Sequence, residues 1–197
     1  GIVGIAPDSH VIALKACWGI KTGGLEAICN SFTLALAINT AIEMKADILN
    51  LSLTGPHDPL LARLIEKAMQ RGIIIIASQP DKDDERSGFP AHQPGVIGVR
   101  SSSSKVIQSS SGNEILAVSA PGDEILTTLP RGAYDFVSGS SLAAAHVSGL
   151  AALLLQLKHS LTKQELFNLL ARANEPTFYK LFSKDQISYT NNLWSVA

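Results

Sequence analysis

The stretch "HDPLLARLIEKAMQRGIIIIA", His57 to Ala77, decides the fold class. Asp58 is a helix N-cap and Pro59 takes the first helical position, where a missing N–H costs nothing. Leu61, Leu64, Ile65 and Ala68 recur at helical spacing, and Gly72 ends the helix. The next five residues, Ile73 to Ala77, show no polar alternation. A strand of that kind is buried on both faces, which is the mark of a parallel sheet inside an α/β domain.

Working outward, apolar runs and helical patterns alternate. Val11–Ala16, Ala46–Leu53, Gly95–Val99 and Glu114–Ala120 read as strands. A helix opens at Ser31 as N-cap and places Leu34, Ile38, Ala41 and Ile42 on one face. The serine-biased segment Arg100–Asn113 reads as a loop or exposed hairpin. A helix over Ser141–Lys158 is followed by one opened by Thr162, with Glu165 three residues on as a capping box. No element is assigned after Ala173. With no repeat or linker, residues 1–197 form a single domain.

Composition narrows the class. The 197 residues are 46% hydrophobic and 17% charged, with a formal net charge of −1. That describes a globular chain and argues against a nucleic-acid or strongly charged membrane partner. The longest apolar stretch, Asp135–Leu155, is interrupted by Ser141, His146, Ser148 and Gly149, so it reads as a buried core helix and not a membrane span. No targeting segment is visible, and the N-terminus reads as a processed or artificial boundary. Cys17 and Cys29 lack metal-ligand spacing. They are either bridged across a short loop or two buried reduced side chains.

"SGSSLAAAHVSG", Ser138 to Gly149, holds the nucleophile candidates. Gly139-Ser140-Ser141-Leu142-Ala143 sits where a loop meets a helix N-terminus. Free N–H groups and a positive dipole end are useful there to a developing oxyanion. The competing reading is a serine that only caps a tightly packed helix. His146 lies about 140° around the helix from Ser141 and therefore points elsewhere, to a structural hydrogen bond. His10, His57, His92 and His159 sit in loops or at element ends with no evident carboxylate partner. The order of an α/β-hydrolase triad fails, as does the G-x-S-x-G pattern, with Ala143 in its last place.

The same block resembles the serine block of the subtilisin-like proteases, G-T-S-M-A-x-P-H-V-x-G. It matches through Gly139, Ser141, Ala143, Ala144, His146, Val147 and Gly149, and departs at Ser140, Leu142 and Ala145. "GIVGIAPDSHVIALKA", "ADILNLSLTGP", "GIIIIASQPD", "GFPAHQPGVIGV" and "LAVSAPGDEILTTLP" resemble further family segments, so the likeness covers Gly1 to about Ala173. It implies a three-layer α/β fold with a mostly parallel sheet. It implies that Ser141, not Ser140, is the nucleophile. It implies that substrate lies as an added strand beside Ser52, Leu53 and Thr54. Ser78, Gln79 and Gly88 would line the side-chain pocket, and Cys17–Cys29 would be bridged, as in secreted relatives.

Two departures qualify the resemblance. The chain has no D-[ST]-G and no H-G-T-H, so the strands carrying the family's Asp and His blocks are missing from it. The family's oxyanion-hole asparagine falls on Asp81 when aligned without a gap. An ionised carboxylate accepts hydrogen bonds and cannot donate one. A one-residue gap would instead bring the Gln79 amide to that place.

The resulting expectation is the serine-bearing part of a secreted or periplasmic serine endopeptidase, acting through an acyl-enzyme on Ser141. Its Asp and His would come from an upstream segment of its own precursor. The chain alone is expected to be inactive, and to self-associate or rearrange around Val11–Ala16, because an interior strand would be absent. Peptide or protein substrates are the expected partners, with no nucleic acid and no membrane. No cofactor is required; family resemblance admits calcium, with no site identified. The rivals are a non-catalytic module that binds peptides and a soluble α/β domain of unrelated function.

Overall fold

A computed structural model describes residues 1–20, 27–81, 88–102 and 116–172. A short antiparallel pair comes first, β1 (Cys17–Gly19) and β2 (Ala27–Cys29), followed by α1 (Ser31–Glu43), β3 (Ile48–Leu51), α2 (Pro59–Gln70) and β4 (Ile74–Ser78). Then come β5 (Ile97–Ser101), β6 (Leu116–Ala120), the strands β7 (Ile125–Leu129) and β8 (Ala133–Val137), and the helices α3 (Ser140–Leu157) and α4 (Lys163–Arg172).

β3, β4, β5 and β6 form a parallel sheet in that order. All five residues of β4 are buried, as the unbroken isoleucine run requires. Ile75 and Ala77 face one apolar cluster with Ile38 and Ile42 of α1 and Leu61, Ile65 and Ala68 of α2. Ile74 and Ile76 face the other, with Ala143, Ala144, Val147 and Ala151 of α3 and Leu166 and Leu170 of α4. Helices therefore cover both faces, giving three layers. α3 has 18 residues and is apolar enough to cross a membrane by length and composition. Here its small-residue face packs on the sheet.

The helix ends follow their sequence signals closely. Asp58 accepts from the amides of Leu60 and Leu61 at 2.9 and 3.0 Å, with Pro59 at the first position. Gly72 takes φ +85°, which a side chain would strain. At α1 the cap is Asn30, one residue before the expected Ser31. Its amide oxygen accepts from Thr33 N at 2.9 Å, while Ser31 donates its hydroxyl to Asp58. The capping box forms as expected: Thr162 N donates to Glu165 at 2.8 Å and Glu165 N donates to Thr162 Oγ1 at 3.2 Å.

Those contacts, with Lys158, hold the Glu165 carboxyl down at about 2, from its usual 4.5. A depressed folded pKa contributes stability above pH 4.5 that is lost as pH falls through 2. Glu165→Gln should therefore flatten the loss of stability between those values. Urea midpoints of both proteins at pH 5 and pH 2.5 measure this.

Val11–Ala16 is not a strand. It pairs with no strand among the described residues, and Val11 is 86% exposed. A β-prone run becomes a strand only when it is hydrogen-bonded to another strand, and the outer edge of β3, the end strand of the sheet, carries no second strand among the described residues. The bridge Cys17–Cys29 is present and joins β1 to β2, which pair in register at those two residues. Cleaving it, with Cys17→Ser and Cys29→Ser together, should cost about 3 kcal/mol by loop entropy. Equilibrium denaturation with and without reductant checks this. Most of the serine-biased segment, and the chain after Arg172, lie outside the described residues.

Candidate active site

The carboxyl ends of β3, β4 and β5 and the start of α3 converge on one edge of the sheet, where open α/β sheets place their ligands. Ser141 is the second residue of α3 and is exposed; Ser140 beside it is 1% exposed. The helix twist separates the two roles: one serine faces solvent and the other faces the core. The close approach of the β6–β7 connection requires glycine. Gly139 N donates to Gly122 O at 2.7 Å, and a Cβ on Gly122 would lie 2.8 Å from Gly139 O.

The residues after β3 reach Ser141 directly. Ser52 Oγ donates to Ser141 O at 2.8 Å, and Ser141 Oγ donates to Ser52 O at 3.3 Å. Asn50 Nδ2 donates to Ser52 Oγ at 3.0 Å, and Ser148 Oγ donates to Asn50 Oδ1 at 3.0 Å. Asn50 and Ser148, which the sequence reading did not single out, thus tie α3 to β3 beside the nucleophile candidate. Their polarity next to an apolar strand and helix was the available signal. Thr54 is exposed and Leu53 half-buried, so side chains alternate across this short edge.

The expected pocket residues divide. Ser78 is 2% exposed and donates to Leu53 O at 3.3 Å, so it braces the edge from below. Gln79 N donates to Val99 O at 2.7 Å, and its side-chain amide lies against Gly98, where an added Cβ would be 2.9 Å from Nε2. The Gln79 amide is therefore turned toward β5. Gly88 pairs with Gly55, and the His92 ring fills the space a side chain there would need. Asp81, not Gln79, reaches the serine turn: its Oδ1 accepts from Ser140 N at 2.9 Å and also from the Ser140 hydroxyl.

His146, His57 and His159 are engaged elsewhere. His146 Nδ1 is 2.8 Å from Pro121 O; a carbonyl only accepts, so Nδ1 carries the proton. His57 meets Phe89 edge-on, with centroids 5.5 Å apart. His159 lines a 360 Å³ cavity with Asp47, Gly72 and Leu155, residues at the opposite ends of the strands. Among the described residues no group of three or more acidic, histidine or cysteine side chains is gathered to hold a metal.

The structure thus sets an exposed serine at a helix start beside the strand ends of a parallel sheet covered by helices on both faces. Residues 1–188 match the Subtilase family, and the chain belongs to that family. It is 33% identical over 190 residues to the major intracellular serine protease of Bacillus subtilis (strain 168), covering 89% of this chain and 58% of that one. It is 36% identical over 167 residues to subtilisin of Bacillus pumilus, covering 81% and 58%. Among solved structures, the prenylagaramide maturation protease PagA superposes with TM-score 0.63 at 27% identity, over 82% of this chain and 63% of that one. A cold-adapted subtilisin-like serine proteinase gives TM-score 0.61 at 27% identity, over 73% and 55%. The chain spans a little over half the length of each of these relatives.

Proposed function

We propose that this chain is the nucleophile-bearing part of a serine endopeptidase. The carrying observation is the exposed Ser141 hydroxyl at the start of α3, with Ser52–Thr54, the residues that follow β3, beside it. The relatives named above are proteases, which supports the same reading. A peptide laid along Ser52–Thr54 would present its carbonyl to Ser141 Oγ. A histidine from an upstream segment of the precursor, oriented by an aspartate, takes the Oγ proton as the Oγ–C bond forms. It returns the proton to the amine as the C–N bond breaks, and water then cleaves the acyl-enzyme. The outer edge of β3, which no strand among the described residues occupies, is where that segment, or a second copy of the chain, would add a strand. The Cys17–Cys29 bridge supports an oxidising compartment, secreted or periplasmic, although one relative is named as intracellular.

The test compares the chain alone with a form carrying the upstream segment, on a fluorogenic peptide library. Hydrolysis is expected only from the longer form. Ser141-dependent turnover by the chain alone would overturn the upstream supply of the base.

A second reading, a peptide-binding module without turnover, is favoured by the Asp81 carboxylate at the helix start. It predicts saturable peptide binding and no hydrolysis from the longer form.

A further inference from the structure

Helix α3 begins without a cap of its own. Its N-cap residue is Gly139, which has no side chain, and no local side chain bonds the first turn. The acceptor comes instead from Asp81, 59 residues earlier, just beyond β4. One carboxylate oxygen takes both the Ser140 amide, at 2.9 Å, and the Ser140 hydroxyl. Ser140 Oγ in turn accepts from Ser101 N at 3.0 Å, at the end of β5. Ser140, 1% exposed, is thus fixed from the ends of two neighbouring strands.

Building on the assignment of Ser141 as nucleophile, we propose that Asp81 is a positioning residue. It clamps the first turn of α3 through Ser140 and so sets the direction of the adjacent Ser141 hydroxyl. Three considerations carry this. A carboxylate is favoured at a helix N-terminus by the dipole and by unpaired N–H groups. Ser140 is buried and Asp81 is exposed, so without the carboxylate the Ser140 donors turn to water and the first turn loses its fixed anchor. Ser141 has its carbonyl held by Ser52 on one side and its preceding residue held by Asp81 on the other; the hydroxyl contact itself, at 3.3 Å, is the loosest of the set.

The same chemistry makes the clamp and an oxyanion donor exclusive functions for a carboxylate, which only accepts. Asparagine would serve both, with Oδ1 on Ser140 and Nδ2 free to donate. The ordering that follows is Asn above Asp, and Asp above Ala.

The experiment uses the full-length protein and a fluorophosphonate probe across a concentration series. Asp81→Ala should lower the limiting rate of Ser141 labelling about tenfold or more, with the half-saturating probe concentration little changed. Asp81→Asn should restore the parental rate or exceed it. Amide exchange at Ser140 should be about fivefold to tenfold faster in Asp81→Ala and parental in Asp81→Asn. If Asp81→Ala does not fold, Asp81→Ser, too short to reach Ser140, takes its place with the same expectations. A parental labelling rate in Asp81→Ala, or a loss in Asp81→Asn as deep as in Asp81→Ala, overturns the proposal. If the full-length protein shows no Ser141-dependent labelling, the nucleophile assignment fails and the exchange data alone decide. Faster Ser140 exchange in Asp81→Ala then sustains the clamp, and unchanged exchange overturns it.

Discussion

Ser141→Ala in the full-length protein is expected to abolish acylation by a fluorophosphonate and to lower peptide hydrolysis on the order of 10⁶-fold; that magnitude is the one known for loss of the nucleophile in a subtilisin. The two adjacent serines differ in burial and in bonding. Ser141 is exposed, and its hydroxyl makes a single long contact to Ser52 O at 3.3 Å, which an incoming group displaces cheaply. Ser140 is buried, with its hydroxyl donating to Asp81 and accepting from Ser101 N. Ser140→Ala should keep the label and lose about 1–3 kcal/mol of stability, because it strips the Ser101 amide of that acceptor. Active-site titration of both variants, with urea midpoints alongside, separates the roles. Labelling that survives Ser141→Ala, or disappears with Ser140→Ala while the fold persists, contradicts the assignment.

The largest stability loss is expected from Ile76→Ala, at about 2–5 kcal/mol. Ile76 is 0% exposed at the middle of β4, paired with Asn50 on one side and Ile97 on the other. It belongs to the apolar cluster that includes Ala143, Ala144 and Val147 of α3. Those alanines have no side chain to extend into the space left behind, so the site collapses poorly and the cavity term stays large. Ile76→Val should cost only about 0.5–1.5 kcal/mol. The check is a pair of denaturant curves with unchanged slope and shifted midpoint. A loss below 1 kcal/mol for Ile76→Ala would mean that α3 moves to fill the gap.

The parts of the fold that were legible in the sequence are those set by neighbours in the chain. Asp58-Pro59 and Thr162 with Glu165 act within a single turn, so pattern and structure agree there. The run after Gly72 reads as a strand buried on both faces because nothing in it tolerates solvent. Val11–Ala16 fails for the complementary reason: its composition favours a strand, but pairing is supplied by another segment. The strands β7 and β8 went unread, although "ILTTLPRGAYDFV" carries a Pro-Arg-Gly turn between two β-prone runs. Within the site, Ser141 and Ser52 were named through a family motif, and Asp81 through an ungapped alignment with the family's oxyanion-hole asparagine; the structure places its carboxylate on Ser140. What no local pattern could supply is the function of Asp81, since its partner Ser140 lies 59 residues away.

Placing the site on strand ends has an evolutionary consequence. On the proposed function, Thr54 lies outside both apolar clusters, so its exchange can redirect which peptide is held without touching the packing of the layers, whereas Ser52 also bonds α3 and Gln79 also packs on β5. Variation in peptide preference and selection for folding can then proceed on separate positions. Ser78 and Ser140 break that separation, being buried and part of the site at once. A change at either is felt by both, and these are the positions at which drift in preference should stall.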